Sequence, residues 1–170
     1  MTRTPSLARQ IIVAAVILIA VVAVAAGGSL ATMGNVDGWY ADAEKVPWNP
    51  PNALFGPVWS VLYLMIALSG FLLWRWAAKD GRRWDPALTV YVVQLALNAA
   101  WTPIFFAGYP VIGEAAWWIA LIVMLALIVS VVWYMGLCAT RIKTSGWLLA
   151  PYLVWIIYAS TLNAGVAALN

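Results

Sequence analysis

Apolar residues run in blocks along this chain. Stretches at about 11–32, 54–77, 86–107, 113–138 and 146–169 are each long and apolar enough for a membrane-crossing helix, which needs roughly 18 or more such residues. Charged, Gly and Pro residues mark the breaks. Pro86 stands at the start of the third block, where the first turn of a helix tolerates a missing N–H. The pattern predicts an all-α membrane protein, a bundle of five transmembrane helices forming a single domain over 1–170. The sequence has no clear internal repeat and no low-complexity linker. The first block has one competing reading. Arg3 and Arg9 precede it, and Ala23-Val24-Ala25 resembles a signal-peptide cleavage site. Its apolar run exceeds the roughly 7–15 residues of a signal core, so it reads as a span.

Composition agrees. The chain is 65% apolar and only 9% charged, against roughly 25% charged in soluble domains. That excludes a soluble enzyme, a disordered chain and a nucleic-acid-binding module. The net charge of +3 reflects topology. Arg3, Arg9, Arg75, Lys79, Arg82, Arg83, Arg141 and Lys143 fall on one side of five spans, and Lys45 falls on the other. The positive-inside rule puts the N-terminus in the cytoplasm and the C-terminus outside. Helical spans point to a bacterial inner membrane.

The missing side chains narrow the chemistry. There is no His and one Cys, Cys138, so no metal site, no disulfide and no resident cofactor is expected. No Asp, Glu, Lys or Arg lies near the middle of a span. Ion-coupled transport and paired-carboxylate catalysis normally need such groups. Neutral polar and aromatic groups remain. Gln94, Asn98 and Trp101 are spaced i, i+4, i+7, and Trp155, Ala159 and Asn163 are spaced i, i+4, i+8. Each set lies on one helix face. Trp59 and Tyr63 are an i, i+4 pair with Gly56 and Ser60 nearby. Two readings compete. Buried Asn and Gln hold membrane helices together and Trp stripes pack, or the three faces line one apolar pocket with a few polar groups.

The chain holds 12 Trp residues. Trp74, Trp76, Trp84, Trp117, Trp118, Trp133 and Trp147 lie near span ends and read as an interfacial belt. The long connection, about 33–53, carries Trp39, Tyr40, Trp48, Pro47, Pro50 and Pro51. Its aromatics either pack back over the bundle or rest at headgroup level.

Several blocks resemble the TspO/MBR family, the tryptophan-rich sensory and translocator proteins. In the first loop these are Trp39-Tyr40-Ala41, Lys45, Pro47-Trp48 and Pro50-Pro51. In the second span they are Gly56-Pro57-Val58-Trp59 and Leu62-Tyr63. The third span contributes Gln94-Leu95-Ala96-Leu97-Asn98, Trp101, Pro103 and Ile104-Phe105-Phe106. The fifth contributes Pro151-Tyr152-Leu153-Val154-Trp155 and Thr161-Leu162-Asn163.

The resemblance implies a five-helix bundle, commonly a homodimer, that binds tetrapyrroles such as protoporphyrin IX and benzodiazepine-type or isoquinoline drug ligands beneath the first loop. The implied ligand-binding set is Trp39, Trp48, Leu54, Trp59, Tyr63, Asn98, Trp101, Trp155, Ala159 and Leu162. Trp59 and Trp155 match two residues implicated in light- and oxygen-dependent porphyrin breakdown in bacterial members, so a catalytic role would fall to them. The leading expectation is a tetrapyrrole receptor or sensor in contact with membrane lipid. A porphyrin-degrading activity and a porphyrin or small-molecule carrier are the alternatives. The chain departs from the family in places. The last turns of the fifth span lack the Tyr and Arg of the mammalian cholesterol motif, so cholesterol is not expected. Ala99 stands where relatives carry a second Trp, and Gly113-Glu114 where some carry a pocket Trp.

Overall fold

The computed structural model describes residues 4–82 and 84–170. Two of the basic residues used to orient the chain, Arg3 and Arg83, lie outside the described residues. Helix α1 spans Leu7–Thr32, α2 Trp39–Asp42, α3 Phe55–Lys79, α4 Pro86–Thr102, α5 Tyr109–Ile112, α6 Ala115–Cys138, α7 Lys143–Trp147 and α8 Ala150–Leu169. Among the described residues there is no strand. Five helical segments are long and apolar enough to cross a membrane: Leu7–Thr32, Asn52–Lys79, Pro86–Ala107, Ala115–Cys138 and Lys143–Leu169. The chain is a multi-pass helical membrane protein.

Local chemistry sets the helix ends. Ser6 accepts the Arg9 N–H and starts α1, four residues before the predicted boundary, because a side-chain cap satisfies donors that an apolar count ignores. Asp85 caps α4 by accepting the Ala87 N–H at 3.0 Å, with Pro86 next in line. This carboxylate is buried and held by Arg82 at 3.2 Å and Arg141 at 3.4 Å, so one residue ties the start of α4 to the α6–α7 turn.

The third span runs over 86–107 as expected, but its helix type changes at Pro103. Pro103 has no N–H and crowds the preceding turn, and residues Pro103–Ala107 form a π-helical turn. The Gly108 N–H reaches back to the Pro103 carbonyl at 3.0 Å. A Cβ at Gly108 would run into the Ile104 carbonyl oxygen. Gly113, at φ +65°, then turns the chain from α5 into α6, a conformation that suits glycine.

The buried face of α4 is Ala87, Val90, Tyr91, Gln94, Asn98 and Trp101, a stripe at helical period. It packs along α6, which also packs on α8. At the α3–α4 crossing Gly70 lies directly against the Tyr91 ring. Ser69, Tyr134 and Ser145 form a buried hydroxyl cluster at 2.7–3.1 Å that joins α3, α6 and α7. Helix α1 packs on α3 and α4 yet buries only Val21.

The Trp belt needs one correction. Trp84, Trp118, Trp133 and Trp147 are exposed, and Trp74 and Trp76 are half-buried. Trp117 is buried, stacked on Tyr109 with ring centroids 4.4 Å apart and planes 5° apart. The short helix α5 folds over the start of α6 and shields Trp117 from the boundary. Proximity to a span end did not reveal that cover.

Candidate functional site

One cavity of about 630 Å³ opens at the bundle end that carries the long loop. Its walls come from α1, α3, the end of α4 with the π-helical turn, and α8. Helix α3 supplies Phe55, Trp59 and Tyr63, the third span supplies Trp101 and Phe105, and α8 supplies Ala159, Leu162 and Asn163. Small residues of α1, among them Ala25, Gly28 and Ser29, form the remaining wall. The lining is mostly apolar, with a few hydroxyl and amide groups and one carboxylate, Asp37, from the loop.

A buried polar relay fixes the base. The Tyr63 hydroxyl donates to Asn98 Oδ1 at 3.1 Å, and Asn98 Nδ2 donates to the Tyr152 hydroxyl at 2.7 Å. Trp101 Nε1 donates to Asn163 Oδ1 at 3.1 Å, and Asn163 Nδ2 donates to the Trp117 carbonyl at 3.0 Å. These bonds lock two aromatic walls, Tyr63 and Trp101, in one orientation. Trp59 stacks on Tyr63 at 5.3 Å, and Trp155 meets Trp59 edge-on at 6.5 Å. Trp155 also packs on Phe55 at 5.8 Å, and its indole N–H is buried with no partner among the described residues.

The loop is stitched down over this end. Trp48 Nε1 donates to Thr161 Oγ1 at 3.1 Å, and the Tyr158 hydroxyl donates to the Trp48 carbonyl at 2.7 Å. The Glu44 N–H donates to Asn170 Oδ1 at 2.8 Å, and Asn170 Nδ2 returns a bond to the Glu44 carbonyl at 3.1 Å. Trp39 Nε1 donates to the Phe106 carbonyl at 3.1 Å, inside a cluster with Tyr109 and Trp117. Tyr40 is buried beneath Lys45, whose ammonium lies 4.8 Å from the ring centre, and burial pushes its phenol pKa up.

The ten residues named from the sequence fall into two groups. Trp59, Tyr63, Trp101, Ala159 and Leu162 face the cavity. The other five do not line it. Asn98 lies behind Tyr63, Trp155 behind Trp59, and Trp39 in the loop cluster. Trp48 is exposed and clasps α8, and Leu54 is exposed at the start of the second span. Sequence reasoning did not assign the α1 wall to the site. Its residues are small and mostly apolar, and no motif marked them. Asn163 carried a readable signal, since it shares a face with Ala159 one turn away.

Known proteins give a matching picture. The TspO/MBR family pattern covers residues 15–169. The chain is 34% identical to the tryptophan-rich protein TspO of Archaeoglobus fulgidus, across 90% of this chain and 94% of that one. It is 37% identical to the human translocator protein, across 74% of this chain and 70% of that one. It is 34% identical to a tryptophan-rich sensory protein of Cereibacter sphaeroides, across 86% and 87%. Five apolar helices, an aromatic cavity under a stitched loop and a family match over nearly the whole length agree: the chain belongs to the TspO/MBR family.

Proposed function

We propose that this protein is a membrane receptor or sensor for tetrapyrroles such as protoporphyrin IX and for similar flat, apolar ligands. The cavity of about 630 Å³ faced by Trp59, Tyr63, Trp101 and Phe105 carries the reading. That volume lies within the roughly 300–1,000 Å³ of small-molecule sites. A macrocycle stacks on indole and phenol faces. Its carboxylates would find the Ser29 hydroxyl and the loop-side boundary. Benzodiazepine-type and isoquinoline compounds fit the same chemistry. In this reading the protein sits in a bacterial inner membrane with the N-terminus cytoplasmic and the C-terminus outside. It pairs as a homodimer, for which the open surface at Gly27, where an added Cβ meets nothing within 4 Å, offers a close approach.

The Trp59–Trp155 contact favours a second reading, in which bound porphyrin is degraded under light and oxygen. Trp59 faces the cavity, so it is placed to donate an electron to a photoexcited ring. Trp155, edge-on behind it, is placed to share the resulting radical. The work would be redox rather than acid–base.

Titration of the purified protein with protoporphyrin IX in the dark, followed by illumination, tests both. Saturable quenching of Trp fluorescence is expected. Ala159→Phe, which projects a ring into the cavity, should weaken it at least tenfold while the helical circular dichroism stays unchanged. Absence of saturable quenching in the wild type rejects the tetrapyrrole reading. Loss of the Soret band under light, abolished in Trp59→Phe/Trp155→Phe, supports degradation. A stable band leaves the receptor.

A further inference from the structure

At the bundle end opposite the cavity, α1 begins where α3 finishes. An open recess there is lined by Arg9, Ala78, Gly81 and Arg82. Both guanidinium groups are held by indoles. Arg9 lies 5.8 Å from the Trp74 ring centre and Arg82 lies 5.3 Å from that of Trp76. A cation over a ring face is attracted to it. Arg9 keeps its N–H donors free for an anion among the described residues, whereas Arg82 already donates from Nε to Asp80 and from Nη1 to Asp85 and keeps only its remaining Nη donors. The free fork of Arg9 suits phosphate oxygens, which accept paired N–H bonds, and the remaining Nη donors of Arg82 face the same recess.

Local carboxylates do not balance the charge. Asp80 and Asp85 both bind Arg82, and Asp85 also binds Arg141. Among the described residues neither Arg9 nor Arg75 has an ion-pair partner. Arg75 stands three residues before Ala78 on α3, and its Nε is buried without an acceptor. An unmet donor on a cation is costly to bury. Lys79 adds a further positive charge in the same turn. The surroundings are those of a lipid rather than a free ion. On α1, Ile12 and Val16 follow Arg9 at i+3 and i+7, on the same face, and are 62% and 59% exposed. They continue the recess into an apolar track of the kind acyl chains cover.

We propose that this recess binds the headgroup of an anionic phospholipid, with its phosphate between Arg9 and Arg82 and its acyl chains along α1. Basic pockets between membrane helices suit such headgroups. The site is separate from the cavity, and nothing about it depends on which ligand the cavity takes.

Native mass spectrometry of the delipidated full-length protein with added phosphatidylglycerol or phosphatidylcholine tests the proposal. One phosphatidylglycerol should be retained per chain in preference to phosphatidylcholine. Arg9→Gln should weaken its binding about fivefold, the scale of one basic group at an anionic surface. Lys143→Gln removes an exposed basic residue outside the recess and should leave binding unchanged. Equal retention of the two lipids overturns the proposal. So does an equal loss in Lys143→Gln, which would mean diffuse attraction. Displacement of the lipid by millimolar inorganic phosphate also overturns it, in favour of a free-phosphate site.

Discussion

Asn98 shows what one polar side chain does in an apolar bundle. It accepts from Tyr63 and donates to Tyr152, so two phenols on α3 and α8 depend on one amide of α4. Gln94, one turn away, is equally buried but has no partner for either amide atom among the described residues. The two should respond in opposite ways to the same substitution. Asn98→Leu strands two hydroxyls and is expected to destabilise by about 1–3 kcal/mol. Gln94→Leu removes an unmet polar group at similar volume and is expected to be neutral or stabilising. Thermal unfolding in one detergent checks both, and an equal loss for the pair would refute the contrast. The sequence spacing put Gln94, Asn98 and Trp101 on one face, and all three are buried. It did not supply their partners, because Tyr63, Tyr152 and Asn163 come from other helices and only packing decides which hydroxyl meets which amide. Trp117 was misread for the same reason, since its cover comes from a different element.

At the scale of elements, α3 and α4 cross at a point with no spare room. The Tyr91 ring occupies the space that a side chain at residue 70 would need, and its hydroxyl donates to the Ile66 carbonyl at 3.1 Å. Gly70→Ala should therefore push the helices apart and cost about 1–3 kcal/mol, as overpacking does. Adding Tyr91→Leu should return part of that loss. A double-mutant cycle would read the recovery as a coupling of roughly 0.5–3 kcal/mol, and strict additivity would count against the contact. Span number and approximate limits were readable from apolar runs alone. The π-helical turn was not, although Pro103 was visible. A proline signals that the ladder must break, and the surrounding helices determine whether it kinks, ends or widens. The short helices α2, α5 and α7 escaped as well, being too brief to show a period.

At the scale of the whole molecule, basic residues gather at one end of the bundle, and the stitched loop borders the cavity at the other. The proposed orientation can be tested without removing any native group, because Cys138 is free and buried. Thr4→Cys and Asp42→Cys stand at opposite ends and are exposed. A membrane-impermeant maleimide applied to intact spheroplasts should label Asp42→Cys at once and Thr4→Cys only after lysis. The reverse order would invert the topology.

Helix α1 forms one wall of the cavity while burying a single residue, Val21, against the rest of the chain. The other walls are held by hydrogen bonds and interlocked rings, whereas the outer face of this one is left to whatever surrounds the bundle. A wall supported from outside moves with its support. Cavity width is then expected to follow the packing outside α1, so ligand affinity should change when the surrounding lipid is exchanged, and an affinity indifferent to acyl-chain length would refute this.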